Sequence, residues 1–414
     1  MDFLQIFLIF VKRNKIFYVY ISEKLIWLGE SPPKNQIFPH LLTFRLWYVK
    51  INAKKGCDRM QLKKMRTQGL LLTLYSAGHF LVDFTCAFLM ITLVASASSA
   101  RLPCLLLYNF CAFALQMPAG LIADRLDRNA AVAVSGFVLT LIAFACYPVP
   151  LLCAVVLGIG NCLYHVGGGV DVLHFSETKQ WMLGVYVSPG AVGLFLGGML
   201  ARQSLLALPL GFVLILAAMA LLTAGLHLTH PLRKPSGNVP PSLKTMGRAP
   251  VLAVILLLLV VVLRSYVGMT LSFPWKTGGW SLLMILGVAG GKAAGGFLAD
   301  RLGAIRASVV SLSLCALLFC FSSTPVCGLL AVFLFNMTMP LTLFAMARLF
   351  PSARGFAFGT LTFALFLGYL PTHLSLPIPF AGEGWWYTVE AALSLILLVA
   401  GLLACRAQGG DSRK

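Results

Sequence analysis

Gly120-Leu-Ile-Ala-Asp124-Arg125-Leu126 recurs 176 residues later as Gly296-Phe-Leu-Ala-Asp300-Arg301-Leu302. Each copy closes an apolar stretch long enough to cross a bilayer as a helix, which takes about 20 residues. A charged segment duplicated at the same place in two apolar neighbourhoods marks an internal repeat. Smaller echoes keep nearly the same offset. Leu194-Phe-Leu-Gly197 returns as Leu365-Phe-Leu-Gly368, and Asn161 corresponds to Asn336.

Outward from the motif, apolar stretches fill the chain. They run over about 69–95, 102–123, 129–147, 151–173, 181–201, 205–227, 250–272, 281–299, 304–322, 325–347, 353–376 and 385–405. Hydrophobic residues make up 59% of the 414 positions and charged ones 11%. A soluble domain carries roughly 25% charge, so a soluble globular protein is excluded. The fold class is therefore an all-α integral membrane protein: twelve transmembrane helices in two six-helix halves of parallel orientation.

The net charge of +19 does not mark a nucleic-acid binder, because Lys and Arg sit between the apolar stretches. With the N-terminus inside, the cytoplasmic segments collect Arg125, Arg128, Arg233, Lys234, Arg301 and Arg306, among others. The outer loops keep Arg101, Arg202 and Lys276. This is the positive-inside distribution. It places both termini in the cytoplasm of a bacterial inner-membrane protein. The segment Thr229 to Ala249 holds Pro231, Pro235, Gly237, Pro240 and Pro241 and reads as a linker. The expected organisation is an N-terminal extension over 1–66, a first half over 67–228, a linker over 229–249, a second half over 250–406 and a tail over 407–414.

The extension is rich in Ile, Lys, Asn and Tyr, whereas the chain from Met60 onward is rich in Leu, Ala and Gly. It is read as a mis-called start, with initiation at Met60 or Met65, the alternative being a basic cytoplasmic arm. The eleven Cys are scattered through the chain, without metal or redox spacing. They are read as small buried hydrophobes, and no cofactor or metal is expected. No G-x-x-x-x-G-K-[ST] loop is present, which argues against ATP-driven pumping.

The segment Gly120 to Arg128, G-x-x-A-D-R-x-x-R, resembles the loop signature between the second and third helices of major facilitator transporters. The copy at Gly296 to Arg301 resembles the same loop in the second half. The resemblance implies a cluster of Gly120, Asp124, Arg125, Arg128, Gly296, Asp300 and Arg301 that latches the cytoplasmic side. Small residues let helices approach, and a carboxylate suits a helix N-terminus. The neighbouring Arg is expected to pair with the Asp. A narrower resemblance covers residues 69 to about 300. Gly78-His79-Phe-Leu-Val-Asp83, Gly158-Ile-Gly160-Asn161-Cys-Leu-Tyr-His165 and Leu263-Arg264-Ser265 are similar to the fosmidomycin-resistance branch. That branch exports drug-like compounds against a proton gradient. Val166 and Gly167 to Gly169 depart from its pattern of Pro and an acid after the histidine.

Ionisable residues inside a membrane are costly and are functional candidates. Asp83 lies near the middle of the first span, with His79 one turn earlier on the same face. Burial disfavours the ionised carboxylate, so Asp83 is read as the proton carrier, with His79 and His165 sharing the proton. Asp171 and Glu177 are placed near the inner surface, and Glu390 is expected to reach the outer one. Arg264, at matching depth in the seventh span, is expected to pair with Asp83 or to bind an anionic group. Asn109, Gln116, Asn161 and Asn336 are the further cavity candidates. Lys292 could snorkel. The glycines after His165 either break the fourth helix or allow close packing.

The function expected is a proton-coupled secondary transporter, not an enzyme, exporting small organic or drug-like molecules by alternating access as a monomer. Its partners are the substrate, protons and the lipid bilayer, with no nucleic acid. The alternatives are proton-driven uptake of an organic anion through Arg264 and, remotely, a membrane-embedded acyltransferase using His165.

Overall fold

The computed structural model describes residues 7–11, 16–21, 24–27, 37–96, 100–176, 178–203, 209–229, 246–376, 380 and 382–411. The linker residues 230–245 and Glu177 lie outside them. The chain divides into two compact units, Met1–Arg66 and Thr67–Lys414. The first contains three short strands, β1 (Phe7–Val11), β2 (Ile16–Ile21) and β3 (Lys24–Trp27), paired antiparallel in that order. No sequence signal announced them.

The second unit is helical. Its helices are the part of α1 (Ile37–Ser96) from Thr67 onward, α2 (Arg101–Leu126), α3 (Asn129–Ala145), α4 (Pro150–Ser176), α5 (Trp181–Arg202) and α6 (Pro209–Thr229). The second half comprises α7 (Arg248–Thr270), α8 (Gly279–Leu302), α9 (Ala304–Phe319), α10 (Pro325–Leu349), α11 (Arg354–His373) and α12 (Gly384–Asp411). Ten of these have the length and apolarity to cross a membrane, and α3 and α9 are shorter apolar helices. Inside a bilayer only a helix satisfies every backbone group within its own segment, so unbroken apolar stretches of this length fold this way.

Chain punctuation reflects local chemistry. Pro325 opens α10, where a missing N–H costs nothing. The two motif copies end alike: Asp127, at φ 51°, caps α2, and Gly303, at φ 82° and 176 positions on, caps α8. Left-handed backbone suits Gly and is tolerated by Asp. Irregularities fall in α2, as a π-helical turn at Phe110–Ala114, and in α10, at Met337.

The Gly167 to Gly169 run does not break α4. Close packing explains it: a Cβ at Gly167 would meet the α3 backbone at Ala133 and Asn129, and one at Gly169 would meet the Phe358 ring of α11. Among the described residues the two halves, α1–α6 and α7–α12, meet most extensively along two seams, α2 with α11 and α5 with α8, and α4 also packs on α11.

Candidate functional site

Two constellations stand out: the duplicated loop motif and a buried acid–imidazole cluster in the first half.

At the motif, Asp124 on α2 accepts hydrogen bonds from the backbone N–H groups of Gly355 and Phe356, both at 2.8 Å. These belong to the first turn of α11, in the opposite half. Asp300 on α8 does the same at the start of α5, accepting from Gln180 N–H at 2.8 Å and Trp181 N–H at 3.0 Å. The first N–H groups of a helix have no partner within it, and the helix dipole favours negative charge there. The glycines make the approach possible. A Cβ at Gly120 would drive into Gly355 O, and one at Gly296 would stand 2.6 Å from Gln180 O. Arg354 closes the same end by donating to Leu173 O of α4 at 2.6 Å. The sequence expectation that Asp124 and Asp300 pair with the adjacent arginines is not met. Arg125, Arg128 and Arg301 are exposed, and helix termini across the seam take the carboxylates instead.

The second constellation surrounds Asp83. His79 Nε2 lies 3.2 Å from Asp83 Oδ2, and His165 Nε2 lies 3.5 Å from Asp83 Oδ1. Asn161 Nδ2 donates to Asp83 Oδ1 at 3.2 Å. All four side chains are buried. They come from α1 and α4, and α5 supplies the wall: Tyr186 rests on the His79 ring, with centroids 4.9 Å apart. A Cβ at Gly190 would collide with His79 Nε2 and Asp83 Oδ2.

Backbone carbonyls assign the tautomers. His79 Nδ1 contacts Tyr186 O at 2.9 Å, and His165 Nδ1 contacts Asn161 O at 2.9 Å. A carbonyl only accepts, so both Nδ1 atoms carry hydrogen. In a neutral ring Nε2 is then a lone pair. Two lone pairs would face one carboxylate, an arrangement that is repulsive until a cation or proton sits between them. The ligand atoms of His79, Asp83 and His165 lie within 4.8 Å of one another, a spacing that a divalent cation or a proton could bridge. Lys292 on α8 lies within electrostatic reach of Asp83, His165 and Arg264. That positive field opposes a divalent cation about twice as strongly as a shared proton.

No family model and no curated protein matches the sequence. Solved structures do match. The E. coli fucose:proton symporter FucP, as a point variant, aligns with TM-score 0.55 at 12% identity over 82% of this chain and 98% of that one. FucP in the outward conformation aligns with TM-score 0.57 at 13% identity over 82% and 99%. The human organic anion transporter MFSD10 (TETRAN) aligns with TM-score 0.57 at 17% identity over 81% and 99%. The chain has the major facilitator fold.

Within the major facilitator fold the remaining candidates take these places. Arg264 on α7 is buried, and its one hydrogen bond among the described residues is a long one, 3.5 Å, to Thr342 Oγ1. It makes no ion pair with Asp83 there, contrary to one of the two expectations for it. Matching depth did not bring the pair together, because depth leaves the angle about the helix axis open. Asn109 bridges the halves, donating to Tyr369 Oη at 2.6 Å. Gln116 is fully buried where α2 presses on Gly359 of α11, and it donates to Ala112 O at 2.6 Å. Asn336 donates to Val332 O at 2.9 Å within its own helix. Asn161 belongs to the Asp83 cluster. Glu390 is 1% exposed, which corrects the expectation that it reaches the surface: it lies beside Trp386 and Tyr387 of its own helix and Tyr266 of α7. Sequence reasoning missed Tyr186, Gly190 and the electrostatic reach of Lys292 to Arg264 and Asp83. It also missed the burial of Asp171, which is 1% exposed.

Proposed function

We propose that this chain is a proton-coupled secondary transporter that exports small organic or drug-like molecules by alternating access, acting as a monomer. The observation that carries the proposal is the pair of Nε2 lone pairs facing the Asp83 carboxylate. Such a site binds protons because it is repulsive without them, and every member is buried. Protonation and substrate then act on the same equilibrium, each favouring the state it binds better. The closed seams at the motif end, taken as the cytoplasmic side from the charge distribution, correspond to a state open to the outside. The Asp124 and Asp300 contacts are the latch that holds it. Export is the direction implied by the resemblance of the His79, Asn161, His165 and Arg264 segments to fosmidomycin-resistance transporters.

A second reading, proton-driven uptake of an organic anion, is favoured by Arg264. It is a buried guanidinium without an acidic partner among the described residues, with Lys292 in reach. A buried cation without a counter-ion is costly, and an anionic cargo would supply one. Transport rather than an enzymatic activity is in keeping with the likeness to transporters, and His165 is committed to Asp83 and Asn161.

The test is a deletion strain and an overexpressing strain profiled across a diverse panel that includes phosphonates and carboxylates. Export predicts opposite susceptibility changes in the two strains for at least one compound, abolished by a protonophore. A difference that survives the protonophore refutes proton coupling.

A further inference from the structure

Asp171 on α4, 1% exposed, is the second buried acid among the described residues of the first half, and proton coupling at Asp83 does not use it. Its carboxylate accepts a hydrogen bond from Tyr75 Oη at 2.6 Å and one from Asn129 Nδ2 at 2.9 Å. His227 Nε2 stands 3.3 Å from Asp171 Oδ2 and 2.7 Å from Tyr75 Oη. The hydroxyl of Tyr75 is thus shared between an acid and an imidazole. His227 is in the last turn of α6, and it and His174, one turn along α4 from Asp171, are half-buried. His174 Nδ1 contacts Asn129 Nδ2 at 3.3 Å. The buried acid is therefore connected to two imidazoles that reach the surface at the motif end.

Among the described residues two buried hydroxyls next to residues of the two clusters have no partner, Ser76 Oγ and Tyr186 Oη. Ser76 is the residue after Tyr75 on α1. Tyr186 rests on the His79 ring, and its hydroxyl borders the same notch as Tyr75. A Cβ at Gly168 would stand 3.1 Å from Tyr186 Oη and 3.0 Å from Tyr75 Cδ1. A buried hydroxyl without a partner costs free energy.

We propose that Asp171, Tyr75 and His227 form a second proton-binding site on the motif side of Asp83. The inference goes beyond the Asp83 reading and does not depend on it. The transfer balances within the cluster. The protonated Asp171 gives its proton to Tyr75 Oη as Tyr75 passes its own to His227 Nε2. Tyr75 ends unchanged, Asp171 ends as a carboxylate, and the imidazolium of His227 releases a proton at the surface. The groups facing Asp171 include Tyr75 from α1, Asn129 from α3, His174 on its own helix, Tyr186 from α5 and His227 from α6. On α11, the Arg354 guanidinium is bonded to Leu173 O two residues away.

The experiment is infrared difference spectroscopy of the full-length protein in lipid, between acid and alkaline buffer, reading the protonated-carboxyl band. Asp83→Asn alone should leave a titrating band, and Asp83→Asn with Asp171→Asn should lose the amplitude of one further carboxyl per protein. Tyr75→Phe and His227→Gln, each in the Asp83→Asn background, keep the acid and should move the midpoint of the remaining band. Superimposable spectra for the single and double variants overturn the proposal. If Asp171→Asn does not fold, an unmoved midpoint in both other variants overturns it. No substrate is needed, so failure here is distinct from failure of Asp83 to couple transport.

Discussion

Replacing Asp124 by Ala removes both hydrogen bonds to the start of α11, at 2.8 Å each. A hydrogen bond to a charged group contributes about 1.5–3 kcal/mol. Both N–H groups regain water when the seam opens, and the site is only part-buried, so the net loss from the closed state is set at about 2–4 kcal/mol for the pair. Each 1.4 kcal/mol is a factor of ten, so the closed-to-open ratio at the motif end should fall by about 30- to 1,000-fold. Asp300→Ala should act alike, because its bonds to Gln180 and Trp181 are nearly the same. Asp124→Asn should act more mildly, since one amide oxygen still accepts. The assay is a distance distribution between spin labels at exposed Arg125 and Arg306, in opposite halves, in a background without native Cys. The variants should shift the population toward longer distances. Unchanged distributions in Asp124→Ala, in Asp300→Ala and in the double variant would refute the latch.

Gly190→Ala places a methyl against His79 Nε2 and Asp83 Oδ2; overpacking of this kind costs about 1–3 kcal/mol. Proton-driven transport should fall, whereas Gly211→Ala, whose Cβ meets nothing within 4 Å, should transport normally; equal rates would separate Gly190 from the site. For topology, Cys at exposed Lys276 should be labelled from outside by an impermeant thiol reagent and Cys at Arg306 should not, and the reverse pattern would invert the assigned sides. Arg264→Gln should weaken binding of anionic cargo by about 10- to 150-fold, the loss of one charged hydrogen bond, and leave neutral cargo unaffected; equal effects on both would remove Arg264 from anion recognition.

Much of the architecture was legible because it rests on length and repetition. The twelve helices come from apolar stretches, and the twofold pattern comes from one segment copied at an offset of 176. His79 and Asp83 were readable as one face of α1 because four residues make a helical turn. Asp124 was readable as a carboxylate seeking a helix N-terminus, but not as one seeking α11, since that contact spans the two halves. The Arg264–Asp83 pairing failed for a related reason: position along a span gives depth and leaves azimuth open. The Asp171–Tyr75–His227 cluster joins α1, α4 and α6 across long sequence separations, and no local spacing encodes it. The glycines of α4 showed the converse. Local propensity alone could not choose between a break and a close contact, and the facing backbone of α3 decided it.

That Asp83 carries the coupling proton is decided by transport through Asp83→Asn in proteoliposomes under an imposed pH gradient. With one coupled proton, a gradient of about one pH unit supports roughly tenfold accumulation, since a unit is worth about 1.4 kcal/mol. Asn keeps the size of the side chain and can still accept from Asn161, but it cannot hold a proton between the two imidazoles. Asp83→Asn should still exchange labelled substrate at equal concentrations across the membrane and accumulate none against its gradient. Accumulation equal to that of the unmodified protein would contradict the claim and make Asp83 a structural acid.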